Sequence, residues 1–212
     1  MITIEDSLEC VHYDMTRLQP NKAIAIDFIE CPPLHTCTLK ELILYVPTKF
    51  VSDLLLESIS NYVFYPKVKA KPTYHPEIEA AIMRHRVNIE YRVSFGTALY
   101  GILYETGSIA LYTFDRICLF HQLSHYSRCF LLKEAASFSA EEEIIAEYSA
   151  LVIFKYLYKF NYAYIGNSIE YINKNVNKYI AETSANRSMD KAQALQNIMP
   201  KVLSCAKALL SE

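Results

Sequence analysis

The stretch AEEEIIAEYSALVIFKYLYKF, residues 140–160, does most to limit the fold. It reads as one long apolar helix. Ser139, with Glu142 three residues later, forms a capping box that fixes its start. So long an apolar helix needs apolar neighbours. The chain has them: hydrophobic residues are 52% of 212 and charged residues 21%, enough for a sizeable core.

The preceding segment, DRICLFHQLSHYSRCFLL from Asp115, is also helical in pattern, with KEAASFSA as the loop between the two. Upstream, NIEYRVSFGTALYGILYETGSIALYTF is rich in β-branched and aromatic residues, with Gly96, Gly101 and Gly107 as punctuation. It predicts two or three strands with a hairpin turn at ETGS. A helix begins near Pro76, where proline is tolerated in the first turn. Two further helices are predicted over about 168–182 and 189–211. Residues 1–74 read as an N-terminal α/β extension. KAIAIDFIE is a strand, CPPLHTC a loop, and helical spacing runs from Leu39 and again from Thr48. YPKVKAKPTYHP is the linker. The expected division is 1–74 and 75–212, and the class is α+β.

The chemistry sits on the two central helices. His121 and His125 are four apart, about 40° in rotation and about 6 Å along a helix axis. Both imidazoles can reach one ion. A third ligand is needed, and the next helix offers Glu143 and Glu147, four apart on one face with the small Ala146 and Ala150. Small residues let the two helices approach closely. Glu143 is assigned as third ligand. Glu147, one turn on, accepts a hydrogen bond from the free N–H of a ligand histidine, which fixes its tautomer. Zinc accepts such nitrogen and carboxylate donors in tetrahedral geometry. The bland alternative is a chance histidine pair beside a solvated acidic first turn.

Other clusters carry less. Cys31, His35 and Cys37 match no closed zinc module, and the six cysteines form no CxxC pair. They read as reduced thiols, with Cys118 and Cys129 in the core. A net charge of −2 provides no global basic field for nucleic acid. Arg84, His85 and Arg86 with Lys67, Lys69 and Lys71 read as solvated surface, and the tyrosines from Tyr156 to Tyr164 as packing. The start ITIEDSLEC is acidic and no apolar run reaches 18 residues, so neither a signal peptide nor a membrane span is expected. The expected location is the cytoplasm, or outside the cell for an effector secreted without a cleavable signal.

FHQLSHYSR and EEIIAE, residues 142–147, resemble the paired motifs of gluzincin-like metallopeptidases. The closest likeness is to the ArdC-like antirestriction and polyvalent-protein metallopeptidase domains, with the IrrE-type peptidases next. There, a hairpin precedes HELxH, and a later helix carries EELxAE or ExxAN. The resemblance covers about residues 76–212. It implies a zincin-like domain with a small sheet over the metal-binding helix and a helical C-terminal part. It also implies Zn2+ at His121, His125 and Glu143, and a protein or peptide substrate bound along an edge strand near GSIALY.

The sequence departs from that family at Gln122, which stands where the family has its general base. An amide cannot take up a proton, a loss of ~10²–10⁴-fold in rate. Three explanations compete: a natural pseudoenzyme, an engineered Glu-to-Gln change, or a different base such as Glu142 or a nearby tyrosine. A non-enzymatic interaction or antirestriction-type protein that keeps the fold is the alternative function.

Overall fold

The computed structural model describes residues 2–17, 72–92, 100–135, 137, 139–159, 162, 165–183 and 189–211. The strand KAIAIDFIE, the loop CPPLHTC, the two helical runs after it and most of the linker lie outside the described residues. The described part is α+β and mostly helical. Two compact units are present, one of residues 1–25, 74–87 and 116–212, the other of 26–73 and 88–115.

The first unit holds six helices among the described residues: α1 (Ile4–Arg17), α2 (Pro76–Arg84), α3 (Arg116–Tyr126), α4 (Ala140–Tyr158), α5 (Ile165–Thr183) and α6 (Lys191–Leu210). Helix α4 is the centre, with α1, α3, α5 and α6 packed against it. Its residues from Ile144 to Phe154 are buried without interruption, so none of its faces reaches solvent along that length. The Ser139 hydroxyl accepts from the Glu142 N–H at 3.2 Å, as the capping box requires. Glu142 does not return the bond to the cap, because its carboxylate is engaged elsewhere.

Helix α1 was not anticipated. Thr3 and Asp6 form a reciprocal cap, Thr3 N–H to Asp6 at 2.8 Å and Asp6 N–H to the Thr3 hydroxyl at 3.0 Å. Leu8, Val11 and Met15 then line one buried face. His12 Nδ1 meets the Tyr148 hydroxyl at 2.9 Å, tying α1 to α4.

The helix predicted from Asp115 is α-helical only to Tyr126. Over residues 127–131 it widens to a π turn, with the Leu132 N–H bonded to the Ser127 carbonyl at 2.9 Å. Side chains at this turn are held by other elements. Tyr126 donates to the His85 carbonyl and Ser127 to the Cys205 carbonyl, both at 2.9 Å. Cys118 and Cys129, expected in the core, are only half-buried; Cys205 is fully buried.

The second unit contains a three-stranded sheet, β1 (Ile89–Tyr91), β2 (Gly101–Leu103) and β3 (Ile109–Leu111), in the order β1-β3-β2. The expected hairpin joins β2 to β3. Tyr104 N–H bonds to the Ser108 carbonyl at 2.9 Å, and Gly107 takes the positive φ of 79° that the turn needs. GSIALY is not an edge. Strand β3 pairs antiparallel with β2 on one side and parallel with β1 on the other, Ile89 opposite Ile109. That parallel pairing occupies the backbone groups a peptide would have used.

No helix among the described residues is long and apolar enough to cross a membrane.

Candidate metal centre

Helices α3 and α4 run antiparallel at the site, since His121 meets Glu147 while His125, one turn on, meets Glu142. Close approach follows from the residues between them: Ala146 and Ala150 are fully buried. The apolar face of α3, with Ile117, Phe120 and Leu123 in the core, fixes its rotation. That rotation turns both histidines toward α4.

Two imidazole nitrogens and one carboxylate converge. His121 Nε2 and His125 Nε2 are 3.0 Å apart. Glu143 places Oε2 3.4 Å from the first and Oε1 3.8 Å from the second. A tetrahedral ion with bonds of about 2.0–2.1 Å separates its ligands by about 3.4 Å. The observed spacings bracket that value. His121, His125 and Glu143 therefore form a group that can hold a metal ion.

The far nitrogens settle which lone pairs face inward. His121 Nδ1 donates to Glu147 at 2.7 Å, and His125 Nδ1 donates to Glu142 at 3.1 Å. With both Nδ1 atoms protonated, each neutral ring presents a bare Nε2 to the other. Two lone pairs do not sit 3.0 Å apart beside a carboxylate unless a proton or a cation lies between them. Negative charge surrounds the pair: Glu142, Glu143 and Glu147 all lie against the two rings, and Arg128, whose Nε lies 2.7 Å from Glu142, is shared with Glu134.

Without the cation, protons fill that role. Burial disfavours a charged His121, but the carboxylates of Glu143 and Glu147 outweigh it and raise its pKa from 6.5 to about 9. Burial works against ionised Glu143 too, yet bonds from His121 and Tyr171 lower its pKa to about 2. Tyr171, on α5, donates its hydroxyl to Glu143 Oε2 at 2.6 Å. Burial and that carboxylate push the phenol well above its ordinary range, so it stays a donor.

The structure thus brings together His121, His125, Glu143 and Glu147. Gln122 occupies the next position on α3 and is nearly buried. Three participants were missed or misjudged. Glu142, considered above only as a substitute base, points about 100° from Glu143 on the helix, and that rotation takes it to His125. Arg128 also pairs with Glu134 across the π turn. Tyr171 is 28 residues from Glu143 along the chain; no local spacing marks it.

No family model, curated protein or solved structure matches the chain.

Proposed function

We propose that this chain is a zinc-binding, metallopeptidase-like protein of zincin type, acting on a protein substrate, with hydrolysis silenced at position 122. One observation carries the reading: two imidazole Nε2 atoms and a carboxylate converge, each ring backed by its own glutamate. Two nitrogens and one oxygen suit zinc, whereas calcium and magnesium favour all-oxygen sets. Three protein ligands leave a fourth position for water or substrate. Two further features support the zincin fold: the order of strands, histidine helix and glutamate helix, and the small sheet ahead of α3.

Bound zinc would acidify water and polarise a carbonyl group. The protein's own residues do the rest. Glu147 and Glu142 orient the two rings, Glu143 supplies the third donor, and Arg128 balances Glu142. Gln122 can hydrogen-bond a water or a carbonyl, but it has no group that takes up a proton. Glu142 is poorly placed to substitute, because His125 and Arg128 already occupy its two oxygens.

That engagement of Glu142 favours the second reading, an interaction protein that keeps metal and fold without turnover. Cleavage assays in cell lysate, read by mass spectrometry of new termini, separate the two. The chain as it stands is expected to be silent, and Gln122→Glu to cleave ~10²–10⁴-fold faster, with His121→Ala as the dead control. Equal cleavage by both forms would remove the silencing argument. Silence from a zinc-loaded Gln122→Glu protein leaves the interaction reading standing.

A further inference from the structure

Arg128 follows His125 by three residues, so the two side chains leave the chain on the same side. It falls inside the π turn of residues 127–131. Its buried guanidinium lies between two carboxylates, with Nε 2.7 Å from Glu142 Oε2 and Nη2 paired with Glu134 Oε2. Glu134 is itself anchored. Lys133 takes a left-handed φ of 55° and turns the chain back, and the Glu134 N–H bonds to the Arg128 carbonyl at 2.9 Å. The other oxygen of Glu142, Oε1, lies 3.1 Å from His125 Nδ1. Glu134, Arg128, Glu142 and His125 thus form one chain of contacts from an exposed loop to a ligand ring.

We infer that Arg128 is a positioning residue of the metal centre: it holds the Glu142 carboxylate with Oε1 toward His125 Nδ1, and so sets the direction in which His125 presents Nε2. The inference rests on the metal reading above. A carboxylate with one partner turns easily, because its terminal torsion is broad. The ion pair at Oε2 removes that freedom and keeps Oε1 in line with the ring. Nδ1 and Nε2 belong to one rigid ring, so fixing the first aims the second. His125 needs this help more than His121 does, since its glutamate contact is 3.1 Å against 2.7 Å. Arg128 supplies no donor to the ion. The π turn and the loop after it join the centre by seating the arginine.

The test measures Zn2+ affinity of the full chain by competition with a chromophoric chelator, and circular dichroism checks that each variant is folded. Arg128→Met should weaken Zn2+ binding by ~10–100-fold, as expected for loss of a partner behind a ligand. Glu142→Gln should weaken it similarly. Because Arg128 acts through Glu142, the double variant should bind no more weakly than Glu142→Gln alone. Leu157→Ala separates positioning from stability. This buried residue lies about 15 Å along α4 from Glu147, and its loss should destabilise the fold and leave Zn2+ affinity unchanged. Should Arg128→Met not fold, Arg128→Lys takes its place. It keeps the charge without the planar fork and should show a smaller loss. Unchanged affinity in the arginine variant, or a loss that adds in full to that of Glu142→Gln, would overturn the positioning role and leave the metal reading standing. An equal loss in Leu157→Ala would assign the effect to stability and overturn it as well. Absence of Zn2+ binding by the unaltered chain would overturn both.

Discussion

Metal binding at this site should expel a proton, and Glu147 should control how many. In the metal-free protein His121 has a pKa of about 9. At pH 7.5 the ring is then charged in all but about 3% of molecules. A metal ion needs the Nε2 lone pair, so the proton must leave. Competition lowers the apparent affinity by about 30-fold at pH 7.5, and by about tenfold more for each further pH unit down to the ordinary histidine range. Glu147→Ala removes the acceptor 2.7 Å from His121 Nδ1. The His121 pKa should fall, and proton release at pH 7.5 should fall with it. Affinity should still drop by ~10–100-fold, because the ring loses its orientation. Calorimetric titration with Zn2+ in buffers of different ionisation enthalpy measures both quantities. About one proton should leave His121 per ion in the unaltered chain, and fewer in the variant. Stoichiometric zinc binding with no proton release, or with affinity flat from pH 6.5 to 9, would refute the reasoning.

Two further outcomes follow from the same geometry. The rise of the His121 pKa from 6.5 to about 9 corresponds to roughly 3 kcal/mol of folding stability in the metal-free protein. Because the folded value is the higher one, this contribution is complete below about pH 6.5 and lost as pH rises through about 9. The depressed Glu143 value reflects the same ion pair and is not added to it. Urea unfolding of chelator-treated protein should show the loss, and His121→Ala should flatten it. Arg128→Met should destabilise the fold by about 3–5 kcal/mol in the same assay, because Glu142 is left buried without its cationic partner. A change below 1 kcal/mol would show that the pair contributes little.

The parts of this molecule written in local spacing were legible in its sequence. Helix α4 announced itself through Ser139, Glu142 and its apolar length, and the pair His121 and His125 through their four-residue interval. Glu143 and Glu147 followed because one helix face fixes both. What escaped depends on partners far along the chain. Parallel pairing of β1 with β3 leaves no local mark, so β3 was expected at an edge. Glu142 points away from Glu143 on its own helix, and only the antiparallel neighbour α3 shows that a second histidine stands at that angle. Tyr171 is placed by the packing of Ile169 and Ile172 on another helix. Helix α1 is a different case. Its signal was present in Thr3, Asp6, Leu8, Val11 and Met15, but the acidic start of the chain was weighed only as a leader.

The central claim is that His121, His125 and Glu143 bind one zinc ion. It is tested most directly by elemental analysis of purified protein, stripped with chelator, reloaded with Zn2+ and desalted. One zinc per chain is expected for the unaltered protein, and essentially none for the His121→Ala, His125→Ala double variant. Equal zinc in both, or none in the unaltered chain, would contradict it.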